Sequence, residues 1–97
     1  MSGMNDIDAR LIDEFIDALW LADGLAKNTL AGYRSDLQLF AIWLVARGTT
    51  LSTASEVTIN DYLAHLHARA GSIKTTSQRR LMASLKRLYR WLLDQGR

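Results

Sequence analysis

The run LAKNTLAGYRSDLQLFAIWL, residues 25–44, decides how the chain folds. Leu30, Tyr33, Leu37, Phe40, Ala41 and Leu44 recur at steps of three and four, the period of a helix with one buried face. The spacing predicts a helix (B) from about Lys27 to Ala46, stopped by Gly48. Its first turns carry more polar side chains than capping needs: Lys27, Asn28, Thr29, Arg34 and Ser35. Asn28, Ala31, Ser35 and Gln38 share the outward side, with Arg34 at its margin. Small and neutral hydrogen-bonding residues of this kind can approach a groove, and Asn or Gln can pair with base edges.

The same period extends in both directions. Helix A is expected from about Asp6 to Asp23, capped by Asn5 or Asp6 and stopped by Gly24, with Leu11, Ile12, Phe15, Ile16 and Leu19 inward. Thr49 to Val57 reads as a loop, with a capping box at Thr53 to Glu56 for a short turn. Helix C is expected over about 58–70, starting after Thr58 with Asp61 as capping partner. Ile59, Tyr62, Leu63 and Leu66 point inward, and Gly71 ends it. Helix D is expected from about Thr75 to Gln95, stopped by Gly96. No segment alternates as a strand does, so the expected class is an all-α, four-helix single domain spanning residues 1–97.

Composition narrows the function. The chain has 97 residues, long enough for one core, and 48% are hydrophobic, so a globular fold is expected. It has no Pro to interrupt helices and no Cys for disulfide or thiol chemistry. No apolar run is long enough to span a bilayer, and the start lacks a signal peptide, so a soluble, cytoplasmic protein with no membrane partner is expected. His65 and His67, two residues apart on a helix, point to different faces and do not form the i, i+4 metal pair. No phosphate loop or nucleophile–base set occurs; the expectation is no active site, no metal and no cofactor.

The charge is divided. Residues 1–24 hold Asp6, Asp8, Asp13, Glu14, Asp17 and Asp23 against Arg10 alone, read as a solvated acidic face. Residues 72–97 hold Lys74, Arg79, Arg80, Lys86, Arg87, Arg90 and Arg97 against Asp94 alone. On a wheel at about 100° per residue, Leu81, Met82, Leu85, Leu88, Tyr89, Leu92 and Leu93 fill one arc of helix D. Arg79, Arg80, Lys86, Arg87 and Arg90 fill the opposite arc, where an ordinary exposed face would mix in acids. Lys74, Thr75, Thr76 and Ser77 add hydroxyls and free N–H groups at the positive end of the helix. A polyanion is the partner this pattern fits. A helical interaction module whose basic helix meets an acidic partner, such as helix A of another copy, is the alternative.

Leu25 to Leu44 resembles the opening of the core-binding domain of tyrosine recombinases and integrases. The matching positions are Asn28, Thr29, Tyr33, Arg34, Asp36, Leu37, Phe40, Trp43 and Leu44. The runs FIDALWLADGLA before it and KTTSQRRLMASLKRLYRWLL after it extend the likeness over about residues 7 to 95, closest to the Xer recombinases. The resemblance implies a SAM-like bundle of two crossed helical hairpins, half of a clamp around double-stranded DNA, with the second and fourth helices at the major groove. It implies DNA contacts from Lys27, Asn28, Thr29, Arg34, Ser35 and Gln38 on helix B. On helix D it implies contacts from Lys74, Thr75, Thr76, Ser77, Arg79, Arg80, Ser84 and Arg87, with Arg80 and Arg87 on phosphates. Position 26, often Ser in the family's motif, is Ala here, so Asn28 stands between two roles, helix cap and DNA contact. By resemblance the acidic helix A lies away from the duplex or near a neighbouring protomer. The family's catalytic residues belong to a second domain, so Tyr33, Tyr62 and Tyr89 are expected to be core aromatics. The complete protein would cut and rejoin DNA, as in chromosome dimer resolution or DNA integration. It would act as a tetramer with a sister recombinase on two DNA sites, at the nucleoid.

Overall fold

The computed structural model describes residues 3–70 and 75–96. Four helices make up the all-α fold: α1 (Asp6–Asp23), α2 (Lys27–Val45), α3 (Glu56–Ala70) and α4 (Thr75–Asp94). The Gly71 stop, Lys74 and Arg97 lie outside the described residues. No described helix is long and apolar enough to cross a membrane.

Local signals set the boundaries. The Asn5 side chain accepts a hydrogen bond from the Ile7 N–H at 2.8 Å and caps α1. Gly24 ends α1 in the left-handed region, φ 58°, where other residues are strained. The start of α3 differs from the sequence reading. Ser55, not Thr58, is the cap: the Thr58 N–H donates to Ser55 Oγ at 3.2 Å, and the Ser55 N–H donates to Thr58 Oγ1 at 3.4 Å. This is a reciprocal capping box with Thr in the third position, and it moves the helix start to Glu56. The turn before it is closed by Thr50 and Thr53, whose hydroxyls lie 2.9 Å apart, rather than by a Thr53–Glu56 box.

Helix α2 is the central element and packs against both α1 and α4. Its inward residues Leu37, Phe40, Ala41 and Leu44 are completely buried, between Ile12 and Phe15 of α1 and Leu85, Leu88 and Leu92 of α4. Tyr62 brings α3 onto this core, its ring centroid 4.7 Å from that of Phe40. Leu93, on the apolar arc of α4, is not part of the core: it sits in the last turn and is exposed. Leu51, from the loop after α2, is fully buried among the core residues.

Two polar groups pin that loop. The carboxylate of Asp8, itself fully buried, accepts from the Leu51 N–H at 3.2 and 3.4 Å. The Tyr89 hydroxyl donates to the Leu51 carbonyl at 2.8 Å. Asp8 therefore departs from the solvated acidic face expected of helix A. Burial pushes its carboxyl above the usual value, against the opposing pull of the Leu51 N–H. Tyr89 is pushed up as well, by burial and then by the neighbouring Asp8 charge. Tyr33 and Tyr62 are buried in the core.

Candidate nucleic-acid interface

The outward faces of α2 and α4 carry most of the residues singled out by the sequence. On α2, Lys27, Asn28 and Ser35 are exposed, and Thr29, Arg34 and Gln38 are half-buried. The first turns of both helices contain no acid, which leaves their positive ends uncompensated. The α2 start settles the position of Asn28. Ala26 is the cap residue, with extended backbone and no side-chain cap bond. Asn28 is the second residue of the helix, within its first turn, and its side chain is not used as a cap.

On α4 the cations divide into two rows. Arg79, Lys86 and Arg90 are exposed and form no ion pair with a described residue. They lie within about 40° of one another on the wheel and form a ridge pointing away from the core. Arg80 and Arg87 occupy the flank and are both held by acids. Arg87 donates to Asp23 of α1 at 3.0 Å. Arg80 donates through two nitrogens to the two oxygens of Asp36 on α2, each at 2.8 Å. On α2, Arg34 pairs with Asp13 of α1. The acids of α1 thus face arginines of this chain at two points, a pairing that the solvated acidic face expected from the sequence did not include.

The expected residues therefore separate. Lys27, Asn28, Ser35, Thr76, Ser77 and Arg79 are on the surface. Lys74 and the Thr75 side chain lie outside the described residues. Ser84 does not join the others: it is completely buried, and its hydroxyl donates to the Leu81 carbonyl at 2.7 Å. A serine beside Leu81, Leu85 and Leu88 can satisfy its hydroxyl on the preceding turn of its own helix, and it is excluded from the interface. Lys86 and Arg90, present in the basic arc but absent from the expected contact residues, join Arg79 on the ridge. Their signal was the wheel position itself.

A row of unpaired cations on one helix, beside a neutral hydrogen-bonding face on the helix packed against it, is the chemistry of a surface for an extended polyanion. Residues 12–96 match the family described as phage integrase, N-terminal SAM-like domain, and the chain belongs to that family. Among its relatives, the tyrosine recombinase XerD of Ralstonia nicotianae is 46% identical over 84 residues, 87% of this chain and 26% of that protein. The XerD proteins of Pseudomonas aeruginosa and Yersinia pestis are each 40% identical, over 96% and 92% of this chain and 30% and 29% of theirs. The chain thus spans less than a third of the length of these curated relatives. No solved structure matches it.

Proposed function

We propose that this chain is the duplex-DNA-binding region of a Xer-type tyrosine recombinase, using α2 and α4 at the major groove. The observation that carries the proposal is the acid-free ridge Arg79, Lys86 and Arg90 beside the polar start of α2. The ridge neutralises phosphates and sets register. Asn28, Ser35 and Gln38 are the side chains suited to base edges, and Lys27, Thr29, Thr76 and Ser77 flank them. Arg34 and Arg87 reach phosphates by exchanging their exposed acid partners. Lys74 and Thr75 are proposed as contacts from the sequence alone, immediately before and at the first residue of α4.

The whole protein is proposed to carry its catalytic residues elsewhere and to cut and rejoin DNA, in chromosome dimer resolution or integration. It would act as a tetramer with a sister recombinase, in the cytoplasm at the nucleoid. The alternative of an α1-to-α4 contact between copies loses support, because Asp13 and Asp23 already pair within the chain. Titration of the chain with a duplex carrying a recombination core site, followed by NMR, tests the DNA reading. Amide shifts are expected along Lys27–Gln38 and Thr76–Arg90. Shifts confined to α1 or α3, or none, would refute it; equal response to random duplex would remove the base-reading role and keep the phosphate one.

A further inference from the structure

Arg80 is held differently from every other cation of α4. Its Nε and one terminal nitrogen each donate to a separate oxygen of Asp36 at 2.8 Å, the two-pronged match of guanidinium to carboxylate. The Asp36 side chain is only 11% exposed. A phosphate drawing Arg80 away would break both bonds and leave a mostly buried carboxylate unpaired, an expensive state.

The backbone beneath is shaped for the same contact. Gly32 lies one turn before Asp36 on the same flank of α2. A Cβ at position 32 would lie 2.8 Å from Arg80 Cδ and 3.1 Å from its Nε and one terminal nitrogen. Side-chain carbons do not approach so closely, so the missing Cβ opens a slot for the arginine stem and Asp36 closes the slot's end. The slot joins α2 to α4, the two helices that carry the proposed DNA surface.

We infer that Arg80 is a positioning residue: clamped on Asp36 across Gly32, it fixes α4 against α2 and so sets the distance between the Arg79–Lys86–Arg90 ridge and the polar face of α2. It is not a phosphate contact. The consequence for DNA rests on the function proposed above, whereas the clamp itself is measurable without DNA.

Thermal unfolding and duplex titration of the 97-residue chain test both parts. Arg80→Lys keeps the charge and loses the fork; Asp36→Asn keeps the shape and loses the charge. Each is expected to lower Tm by about 4–8 °C, and the double variant no further than the larger single loss, since both remove one pair. Gly32→Ala is expected to leave Tm level or lower it in the native chain, despite the helix preference for Ala, and to raise it in an Arg80→Ala background. That pair of variants decides the matter if Asp36→Asn does not fold. At a temperature where all variants are folded, Arg80→Lys and Asp36→Asn are expected to bind duplex severalfold more weakly with an unchanged salt slope.

Additive Tm losses, or a Gly32→Ala gain that is the same in both backgrounds, would overturn the clamp whether or not the chain binds DNA. Lower Tm with unaltered duplex affinity would overturn the positioning role. So would Arg80→Gln reducing the salt slope by about 0.9, the loss expected for a phosphate contact. Failure of the native chain to bind duplex would remove the proposed function, and the double variant would still decide the clamp.

Discussion

The two cationic rows of α4 are alike in residue type and differ in what holds them. Arg79, Lys86 and Arg90 form no ion pair with a described residue, whereas Arg80 and Arg87 meet Asp36 and Asp23. An unpaired cation brings its full charge to a polyanion, and each neutralised phosphate releases counterions. A paired cation must first leave its acid, and the acid stays behind to repel the phosphate. The pairs themselves also differ. Asp36 is nearly buried and two-pronged, while Asp13 and Asp23 are 63% and 46% exposed and hold their arginines by single contacts. A count of basic residues on a helix therefore overstates the charge available for binding.

The largest effect should come from emptying the free row. Replacing Arg79, Lys86 and Arg90 together by Gln is expected to lower the slope of log affinity against log salt by about 2–3. The core is untouched, so thermal stability should change little. Fluorescence titration of a labelled duplex between low and moderate salt measures this. A triple variant with the native slope would erase the distinction between the rows.

The free row itself could be read from the sequence, because wheel position depends only on residue number. The same holds for the four helices and for nearly all of the core. The pairing could not be read, because it is tertiary: Arg34, Arg80 and Arg87 lie 21, 44 and 64 residues from their acids. Nothing local marks Asp36 rather than Asp61 as a partner. Two departures from the expected surface do have a local signal. Asp8 sits one turn before Leu11 and Ile12, on the apolar stripe of α1, which is a burial signal for an acid. Ser84 sits three residues after Leu81 and four before Leu88, at the edge of the apolar arc of α4. In both cases residue type suggested the surface while periodicity pointed to the core. Gly32, internal to a helix, signalled close approach without saying of what.

Asp8 offers a contrast with the arginine-held acids, since its partner is a backbone N–H. Asp8→Ala leaves the buried Leu51 N–H without an acceptor and should cost about 1–3 kcal/mol in urea unfolding, with the salt slope of DNA binding unaltered. Asp8→Asn keeps an acceptor and should lose less. Their pH dependence separates charge from hydrogen bond. The folded-state pKa of Asp8 is raised, so the folded chain binds this proton more tightly than the unfolded chain. Ionised Asp8 therefore weakens the fold at neutral pH. That penalty is relieved as pH falls through the raised value toward the ordinary carboxylate range. Asp8→Asn should remove this component, so its stability relative to the native chain should be greatest near neutral pH and should decline on acidification. A difference that grows on acidification would show that the shift has the opposite sign.

The smallest effect is the one that divides the paired arginines most cleanly, because it predicts opposite signs. Asp23→Asn and Asp13→Asn each remove a negative charge and release a guanidinium from a single, exposed contact. Exposed pairs of this kind contribute about 0–1 kcal/mol to stability, so both variants should remain folded. Two unit charges about 4 Å apart in water interact by about 1 kcal/mol, which limits the gain in duplex affinity to about fivefold at each site. Salt should erode that gain, since the Debye length is about 10 Å at 0.1 M. Asp36→Asn removes the same charge yet should weaken binding, because the charge it removes holds α4 in place. Measured side by side at low salt, Asp23→Asn above the native chain and Asp36→Asn below it would establish that the two arginines of one flank do different work. Both variants rising together would return Arg80 to the phosphate-binding row.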